Sequence, residues 1–304
     1  GGRKEFGLTE KEIVEINRTL NKLNSPNPKP DAQEQKFTAT LECPQIPMLD
    51  DKSVAEKFES IFTILGIVDE QGVFEYDLSF IPPPPVPMSK DLRSNRIIDL
   101  RSISETKKYW QLPENEELLR TPNCGPFYIH LNVWYRRPPW IDGPFAEEFK
   151  DHLEEYGGIS VYRDGINVFP AEWGAETDWL QLSKRHIKRG LRISYYDMIG
   201  NVEIEQTINF DLIDKTNREG VLQNKAYNDL RTLVRGVVFL IEKDVIGKRE
   251  DYNKLTGDLI REPKQMADVA RVASSILENL DEKYDVPNDP LEILEKLGKK
   301  HERK

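Results

Sequence analysis

Two basic residues in the segment 214–220 have the spacing to bind a phosphate group. Lys215 and Arg218 lie in the run Asp-Lys-Thr-Asn-Arg-Glu-Gly, directly before a pattern of apolar residues that predicts a helix over 221–242. Positive charge is unfavourable at the start of a helix, where the dipole and the free N–H groups favour an anion. With Asn217 as the predicted N-cap, an anion shared by both cations and the helix terminus removes this conflict. In the alternative reading, Arg218 pairs with a neighbouring carboxylate.

A second group of basic residues lies between 184 and 192. Its members are Lys184, Arg185, His186, Lys188, Arg189 and Arg192. Such a cluster can contact the phosphates of a nucleotide or a nucleic acid, with Lys184, Arg185, Lys188 and Arg189 as the candidate contacts. The alternative is a solvated surface balanced by acidic neighbours. The formal net charge of −10 argues against nucleic-acid binding over a broad surface.

Other site patterns are missing from the sequence. The four histidines form no closely spaced pair that would predict a metal site, and there is no GxSxG, Walker-type or GxGxxG motif. These histidines are His130, His152, His186 and His301. His130, on a predicted strand, is expected to have a packing or surface role. Cys43 and Cys124 stand alone, which argues against zinc and a disulfide scaffold and favours a reducing, cytoplasmic setting.

The first 90 residues show strong local signals. Thr9 to Leu23 is predicted to be a helix that begins with a capping box. A linker, a strand near 37–41 and a short helix near 53–59 follow, and then a hairpin of strands 62–68 and 73–80. The prolines at 82–85 predict a rigid loop or insertion, or alternatively a docking site for a proline-recognising partner.

The rest of the chain alternates between strand and helix patterns. The predicted elements are a strand at 127–135, a helix at 143–156, a hairpin of 159–163 and 166–169, a strand at 200–210, the helix at 221–242, and polar helices at 263–283 and 290–303. Asp164-Gly165 is a strong signal for a tight hairpin turn. The chain ends in a basic tail from Lys299 to Lys304.

This order of elements predicts an α/β fold, a mixed-sheet sandwich with covering helices and a helical extension. The predicted domains are a connecting helix and linker at 1–34, an α/β domain at 35–245 with a proline-rich insertion near 82–87, and the extension at 246–304. No apolar run approaches the roughly 18–20 residues of a membrane span, so no membrane contact is expected. The start of the chain, with no apolar signal core, is interpreted as a cut end or a cloning remnant.

Four segments, in order, resemble a known family. Residues 156–170, 178–185 and 199–204 resemble motifs of the transducer domain of GHKL-type ATPases. Residues 214–227 show the same resemblance and are also similar to the middle domain of the large ATP-driven heat-shock chaperone, in which an Arg-Glu pair opens a helix. The match covers roughly 124–243, which is under half of the chain.

The resemblance implies a fold like domain 2 of ribosomal protein S5 and a role in ATP hydrolysis. Arg218 matches the arginine of the chaperone, and Lys215 is the nearest equivalent of the lysine in gyrase-like and mismatch-repair-like relatives. In that family this basic residue reaches the γ-phosphate of ATP, so the resemblance implies the same contact for Arg218 or Lys215, with Asn217 beside them. The resemblance also implies that ATP and Mg²⁺ bind to an N-terminal domain of the parent protein, which forms a homodimer. The Asp-x-Gly-x-Gly turn and Gly-rich lid of that domain are not in this sequence, so the chain alone is expected to be inactive.

Two other functions stay open at this point. One is a non-catalytic interaction module, which uses the prolines, the helical tail and the basic C-terminus to bind a protein client. The other is a DNA-associated module that uses the cluster at 184–192. The pathway and the client are not predicted.

Overall fold

The computed structural model describes residues 9–23, 59–82, 88–136, 141, 143–168, 178–182, 193–215 and 220–281, with side chains beyond 255 not described. The chain divides into two units, Gly1–Glu250 and Asp251–Lys304, and the description below concerns the first. The helices are α1 (Glu10–Leu23), α2 (Lys107–Trp110), α3 (Ala146–Tyr156) and α4 (Lys225–Asp281). The strands are β1 (Phe62–Val68), β2 (Val73–Phe80), β3 (Asp91–Asp99), β4 (Gln111–Leu112), β5 (Asn115–Leu119), β6 (Phe127–Val133), β7 (Gly158–Arg163), β8 (Ile166–Asn167) and β9 (Met198–Ile204).

Seven of these strands form one mixed sheet in the order β3-β2-β1-β6-β9-β7-β8. All neighbouring pairs are antiparallel except β7 and β9, which are parallel. Strands β4 and β5 form a separate two-stranded ladder. The sheet and its helices confirm the predicted α/β class.

The two faces of the sheet differ in composition because side chains alternate along each strand. One face carries fully buried apolar residues such as Ile64, Leu131 and Val202. Helix α4 lies against this face, with a buried stripe at helical spacing and Lys248 Nζ 5.4 Å from the ring centroid of Phe80. The stripe comprises Leu230, Leu233, Val234, Val237, Val238 and Ile241.

The opposite face of the sheet is more polar and is covered in part by α3. Phe149 and Leu153 of α3 form a buried cluster with Trp134, and Ile199 of β9 packs against that cluster. Burial of apolar surface on both faces of the sheet is the dominant stabilising term in such a fold.

Several predicted elements are confirmed by the structure. Helix α1 begins with the capping box, in which Glu12 Oε2 accepts from the Thr9 N–H at 2.7 Å. The predicted hairpin is the β1–β2 pair, and the β7–β8 turn has φ of 51° at Asp164 and 85° at Gly165. These φ values belong to the left-handed region that such tight turns require.

Other element predictions are wrong or lie outside the described residues. The predicted strand at 200–210 ends at Ile204, and turns follow it. Residues 263–281 are helical as predicted, but they continue the single helix that begins at Lys225, so the helix predicted at 263–283 is not a separate element. Strands β3, β4 and β5 were not predicted. The predicted strand at 37–41, most of the predicted helix at 53–59, the prolines at 83–85 and the helix at 290–303 lie outside the described residues.

Candidate functional site

The segment that carries the two candidate cations has its two ends held together by backbone contacts. We call residues 215–220 the basic loop. The N–H of Lys215 donates to the carbonyl oxygen of Gly220 at 2.8 Å, and Asp214 and Val221 form an isolated antiparallel bridge. Gly220 has a φ of 105°, a backbone conformation that favours glycine. The two ends of the basic loop are therefore held together as in a hairpin.

The candidate residues within the basic loop are described only in part. Lys215 is exposed and, among the described residues, makes no ion pair. Asn217 and Arg218 lie outside the described residues, so their contact with phosphate stays a prediction. The same is true of the second basic cluster, since Lys184, Arg185, Lys188 and Arg189 also lie outside them.

The helix that follows the basic loop begins later than predicted. The first helical residue is Lys225, and the described residues from Gly220 to Asn224 are not helical. Asn224 Oδ1 accepts from the Tyr227 N–H at 2.9 Å, which makes Asn224 the N-cap in place of Asn217. The predicted helix start at Val221 is therefore wrong. The free N–H groups of the first turn belong to the residues after Asn224.

A buried arginine connects the basic loop to the sheet. Arg163, at the end of β7, has a side chain only 5% exposed, and its Nη1 lies 2.6 Å from Asp214 Oδ1. Its Nη2 donates to the carbonyl oxygen of Leu212 at 2.5 Å, and its Nη1 also approaches Gln206 Oε1 at 3.4 Å. One guanidinium thus joins the end of β7, next to the edge strand β8, to the residue that precedes Lys215.

The turns between β9 and the basic loop are fixed by a buried amide. Asn209 is 2% exposed, and its Oδ1 accepts from the Glu205 N–H at 2.8 Å. Its Nδ2 donates to the carbonyl oxygens of Cys124 and Pro126 at 2.7 and 2.8 Å. Gly125 has a φ of 73°, and a Cβ atom there would lie 2.8 Å from Asn209 Nδ2, so this position requires glycine.

The second turn of α4 holds a buried carboxylate that the sequence did not reveal. Asp229 is fully buried and accepts four hydrogen bonds, two on each oxygen. Oδ1 accepts from Tyr109 Oη at 2.7 Å and from Arg120 Nη2 at 2.6 Å. Oδ2 accepts from Arg120 Nη1 at 2.9 Å and from the Asn123 N–H at 2.8 Å. We call Tyr109, Arg120 and Asp229 the carboxylate cluster.

The carboxylate cluster has the properties of a structural site. The Arg120 guanidinium carbon lies 4.6 Å from the ring centroids of both Tyr109 and Trp110. Burial, together with the hydrogen bond to Asp229, raises the pKa of Tyr109 to about 12. Burial also raises the pKa of the adjacent Cys124 thiol to about 12. Both groups therefore stay protonated at neutral pH, which makes them poor bases or nucleophiles.

His130 and the other possible metal ligands of the described residues form no further site. His130 is half-buried on β6, and burial lowers its pKa below the usual value. Across the described ranges, no group of three or more histidine, cysteine or carboxylate side chains is arranged to hold a metal ion. In those same ranges, no helix combines the length and apolar character needed to cross a membrane.

Comparisons of the chain with protein-family models, with curated proteins and with solved structures give no significant match. The site is therefore interpreted from its own residues and from the resemblance of the sequence motifs. Among the candidate cations, the structure describes Lys215 and the contacts that hold both ends of the basic loop.

Proposed function

We propose that this chain is the transducer and C-terminal part of a GHKL-type ATPase. In this proposal Lys215 and Arg218 supply positive charge to the γ-phosphate of ATP bound by an N-terminal domain of the same protein. The observation that carries the proposal is the Arg163–Asp214 pair, which joins two separate segments of family-like sequence. Within the segment 156–170, Gly158–Arg163 form β7 and Ile166–Asn167 form β8, and residues 199–204 lie in the neighbouring β9. Arg163 of β7 binds Asp214, the first residue of the segment 214–227.

The exposed surface beside the basic loop supports contact with another domain. Phe210, Ile213 and Leu222 are 71%, 51% and 44% exposed, and the Leu222 N–H donates to the Ile213 carbonyl oxygen at the base of the loop. Single exposed apolar residues are ordinary, but several around one charged loop are typical of an interaction surface. An ATP-binding domain that covers this surface would desolvate Lys215 and strengthen its attraction for phosphate.

The described residues fit one part of a phosphate site. Lys215 is an exposed cation on a closed loop, and the exposed Lys225 begins α4. Bound ATP with its Mg²⁺ would supply the transferable phosphoryl group. Arginine can hold phosphate oxygens in a bidentate manner, which favours Arg218 over Lys215 as the principal contact. A cation that stabilises the charge of phosphoryl transfer in this way is worth about 10³–10⁵ in rate in GTPases.

The same contacts suggest how the nucleotide state reaches the rest of the molecule. Asn224 caps α4 and donates through Nδ2 to the carbonyl oxygen of Asp211 at 2.7 Å. The basic loop is therefore connected at one end to β7 through Arg163 and at the other end to α4. In the parent protein, a homodimer in the cytoplasm, ATP binding would move the ends of the basic loop and the start of α4 together.

The proposal is tested by ATP turnover of the full-length protein that contains this chain. Arg218→Ala is expected to lower kcat by about 10²-fold or more while nucleotide affinity changes little, because the interaction acts on the transition state. Lys215→Ala shows whether the lysine shares this role. Arg96→Ala is the matched control, since Arg96 is an exposed cation on β3 at the opposite edge of the sheet.

Two outcomes would count against the proposal. Unchanged turnover in both loop variants removes the catalytic role of the basic loop. No turnover in the wild-type protein favours the interaction module instead. If DNA binding proves strong, its affinity should fall with rising salt, as at any site that contacts phosphates. Neutralising Lys184, Arg185 and Arg189 should lower that affinity only if the second basic cluster is the DNA site.

A further inference from the structure

Strand β3 is an edge of the seven-stranded sheet. It pairs with β2 on one side, and no strand of the described residues lies on its other side. The Leu100 N–H donates to the Gly72 carbonyl oxygen at 3.0 Å, which fixes the alternation of hydrogen-bonded pairs along the antiparallel ladder. Ile98 and Arg96 therefore bond to β2 through their backbone, whereas the N–H and C=O of Ile97 point away from the sheet.

Leu92 has the same orientation on the other side of a bulge. The register of the β2–β3 pair shifts just before Leu78, and the Asn95 N–H at the bulge donates to Asp77 Oδ1 at 2.8 Å. Backbone groups of β2 alternate between β1 and β3, and Leu92 lies opposite Ser79, which is directed at β1. The N–H and C=O of Leu92 therefore also point outward from the edge.

The same two residues carry exposed apolar side chains. Leu92 lies opposite Ser79 and Ile97 lies opposite Glu75, so both side chains are on the face of the sheet turned away from α4. They are 67% and 68% exposed. A long apolar edge with unpaired backbone groups is a template for an added strand, whose side chains at alternate positions would pack beside Leu92 and Ile97.

The other face of β3 carries positive charge along this edge. Arg93 pairs with Asp91 and Asp244 at 2.6 and 2.9 Å. Arg96 is exposed and, in the part of the chain that the structure describes, makes no ion pair; the same holds for Lys90, just before the strand. The edge therefore has an excess of positive charge, although the whole chain has a formal net charge of −10.

The charge of the edge distinguishes between possible partners. Antiparallel pairing of two β3 strands about Ile97 would place the Arg96 side chains of two copies at diagonal positions on one face, where like charges repel. An acidic strand has no such conflict, and complementary charge favours it over a neutral one. The alternation of apolar and basic positions on β3 matches a strand in which apolar residues alternate with carboxylates.

We propose that the free edge of β3 binds an extended acidic segment of a partner protein, which joins the sheet as an additional strand. Backbone hydrogen bonds to Leu92 and Ile97 hold the segment, its apolar residues pack on these two side chains, and its carboxylates face the arginines of β3. The inference goes beyond the proposed function and does not depend on it, because β3 and β7 lie towards opposite ends of the sheet.

Peptide binding to the 304-residue chain tests the inference. The probe is a fluorescent peptide of about eight residues in which valine and glutamate alternate, and fluorescence anisotropy measures its Kd. A peptide with lysine in place of glutamate should bind at least about tenfold more weakly. The glutamate peptide with every backbone amide N-methylated should weaken by at least about tenfold too, because it keeps the charge but cannot donate to the edge.

Variants of the chain locate the binding site. Ile97→Pro should raise the Kd of the glutamate peptide at least about tenfold, because it removes an N–H that points away from β2 and leaves the β2–β3 ladder in place. If this variant fails to fold, Ile97→Asp keeps the backbone, adds a like charge and should have the same effect. Ile67→Asp is the matched control and should leave Kd unchanged, since Ile67 is 49% exposed on the same face but lies on β1. ATP turnover is measured without the peptide, so Arg96→Ala keeps its role as a control in that assay.

Amide hydrogen exchange shows whether the edge is open. In the chain without peptide, the Ile97 amide should exchange at least about tenfold faster than the Ile98 amide, and the glutamate peptide should slow it. If the Ile97 amide is already protected, the chain itself or a second copy covers the edge and the proposal is overturned. A dimer in sedimentation that Ile97→Pro dissociates identifies the second copy. Equal binding of the glutamate and lysine peptides, or of the N-methylated peptide, would also refute the proposal.

Discussion

Replacing Asp229 with asparagine should destabilise the protein strongly, although the two side chains have nearly the same shape. Every group that faces the Asp229 carboxylate is a donor, with two donors on each oxygen. In one orientation the NH₂ group of an asparagine would face the Arg120 Nη1 and Asn123 N–H donors; in the other it would face Arg120 Nη2 and the Tyr109 hydroxyl, which can turn to accept. Either orientation breaks one of the two hydrogen bonds from Arg120, which is only 17% exposed and would keep a poorly compensated charge.

The size of this effect follows from the burial of the cluster. Hydrogen bonds to charged groups contribute about 1.5–3 kcal/mol each, and breaking a buried ion pair costs about 3–5 kcal/mol. We therefore expect the free energy of unfolding to fall by about 3–5 kcal/mol in Asp229→Asn. With an m-value of about 3 kcal/mol per M, the urea midpoint would move down by at least about 1 M. Tryptophan fluorescence and far-UV circular dichroism, recorded in one urea titration, measure this shift.

Asp91→Asn provides the comparison, because both members of the Asp91–Arg93 pair are partly exposed. Such a pair contributes about 0–1 kcal/mol. The double variant Asp229→Asn with Arg120→Met should lose about 2 kcal/mol less of the free energy of unfolding than the two single variants together, since the unpaired charge of Arg120 is removed. A loss below about 1 kcal/mol in Asp229→Asn, or one equal to that of Asp91→Asn, would refute the account of the carboxylate cluster.

Three smaller effects follow from the same contacts. Asn224→Ala removes the α4 cap and the bond to Asp211, and should lower the free energy of unfolding by about 1–2 kcal/mol in a urea titration; an unchanged midpoint would contradict the assigned helix start. Gly125→Ala should cost about 1–3 kcal/mol in the same assay, because of its positive φ and the approach to Asn209, whereas a neutral result would mean that this turn adapts freely. The pKa of Tyr109 is raised to about 12 from an unfolded value near 10, so its contribution to stability is complete below about pH 10 and is lost as the pH rises through 12. Absorbance titration of tyrosinate should therefore detect a group that ionises near pH 12 in the wild type and is absent from Tyr109→Phe. If the group absent from Tyr109→Phe ionises near pH 10 instead, the assignment is contradicted.

Local signals in the sequence were enough to predict the hairpins and α1. The β1–β2 and β7–β8 pairs have short turns and alternating apolar residues, so a window of a few residues contains the information. Strand β3 escaped prediction because it is an edge strand rich in polar residues, with Leu92 and Ile97 exposed. Its strand conformation depends on pairing with β2, which no local pattern reveals.

The start of α4 shows how a correct helical spacing of apolar residues can still give a wrong first residue for the helix. Leu222 has the spacing of the apolar stripe that continues through Leu230, yet it is 44% exposed and lies before the helix. Asn217 and Asn224 are both suitable N-caps by residue type, and the helix start at Lys225 with the bond from the Tyr227 N–H to Asn224 Oδ1 identifies Asn224 as the cap.

The site was predictable only where its chemistry lies in one segment. Lys215 and Arg218 were found because they are close together in the sequence, and their role remains a prediction. The pairs Arg163–Asp214 and Arg120–Asp229 join residues separated by 51 and 109 positions. Such partners cannot be selected from one sequence with many arginines and carboxylates, because only the folded chain brings them together.

The order of strands in the sheet has a consequence for synthesis of the protein on the ribosome. Strand β6 lies between β1, made well before it, and β9, made about 70 residues later. Until β9 leaves the ribosome, one side of β6 has backbone groups without partners, and β7 lacks its parallel neighbour. Contacts that are so distant in sequence make folding slow, and an unpaired strand edge favours aggregation. Nascent chains that stop before Met198 should therefore be the ones that depend most on chaperones.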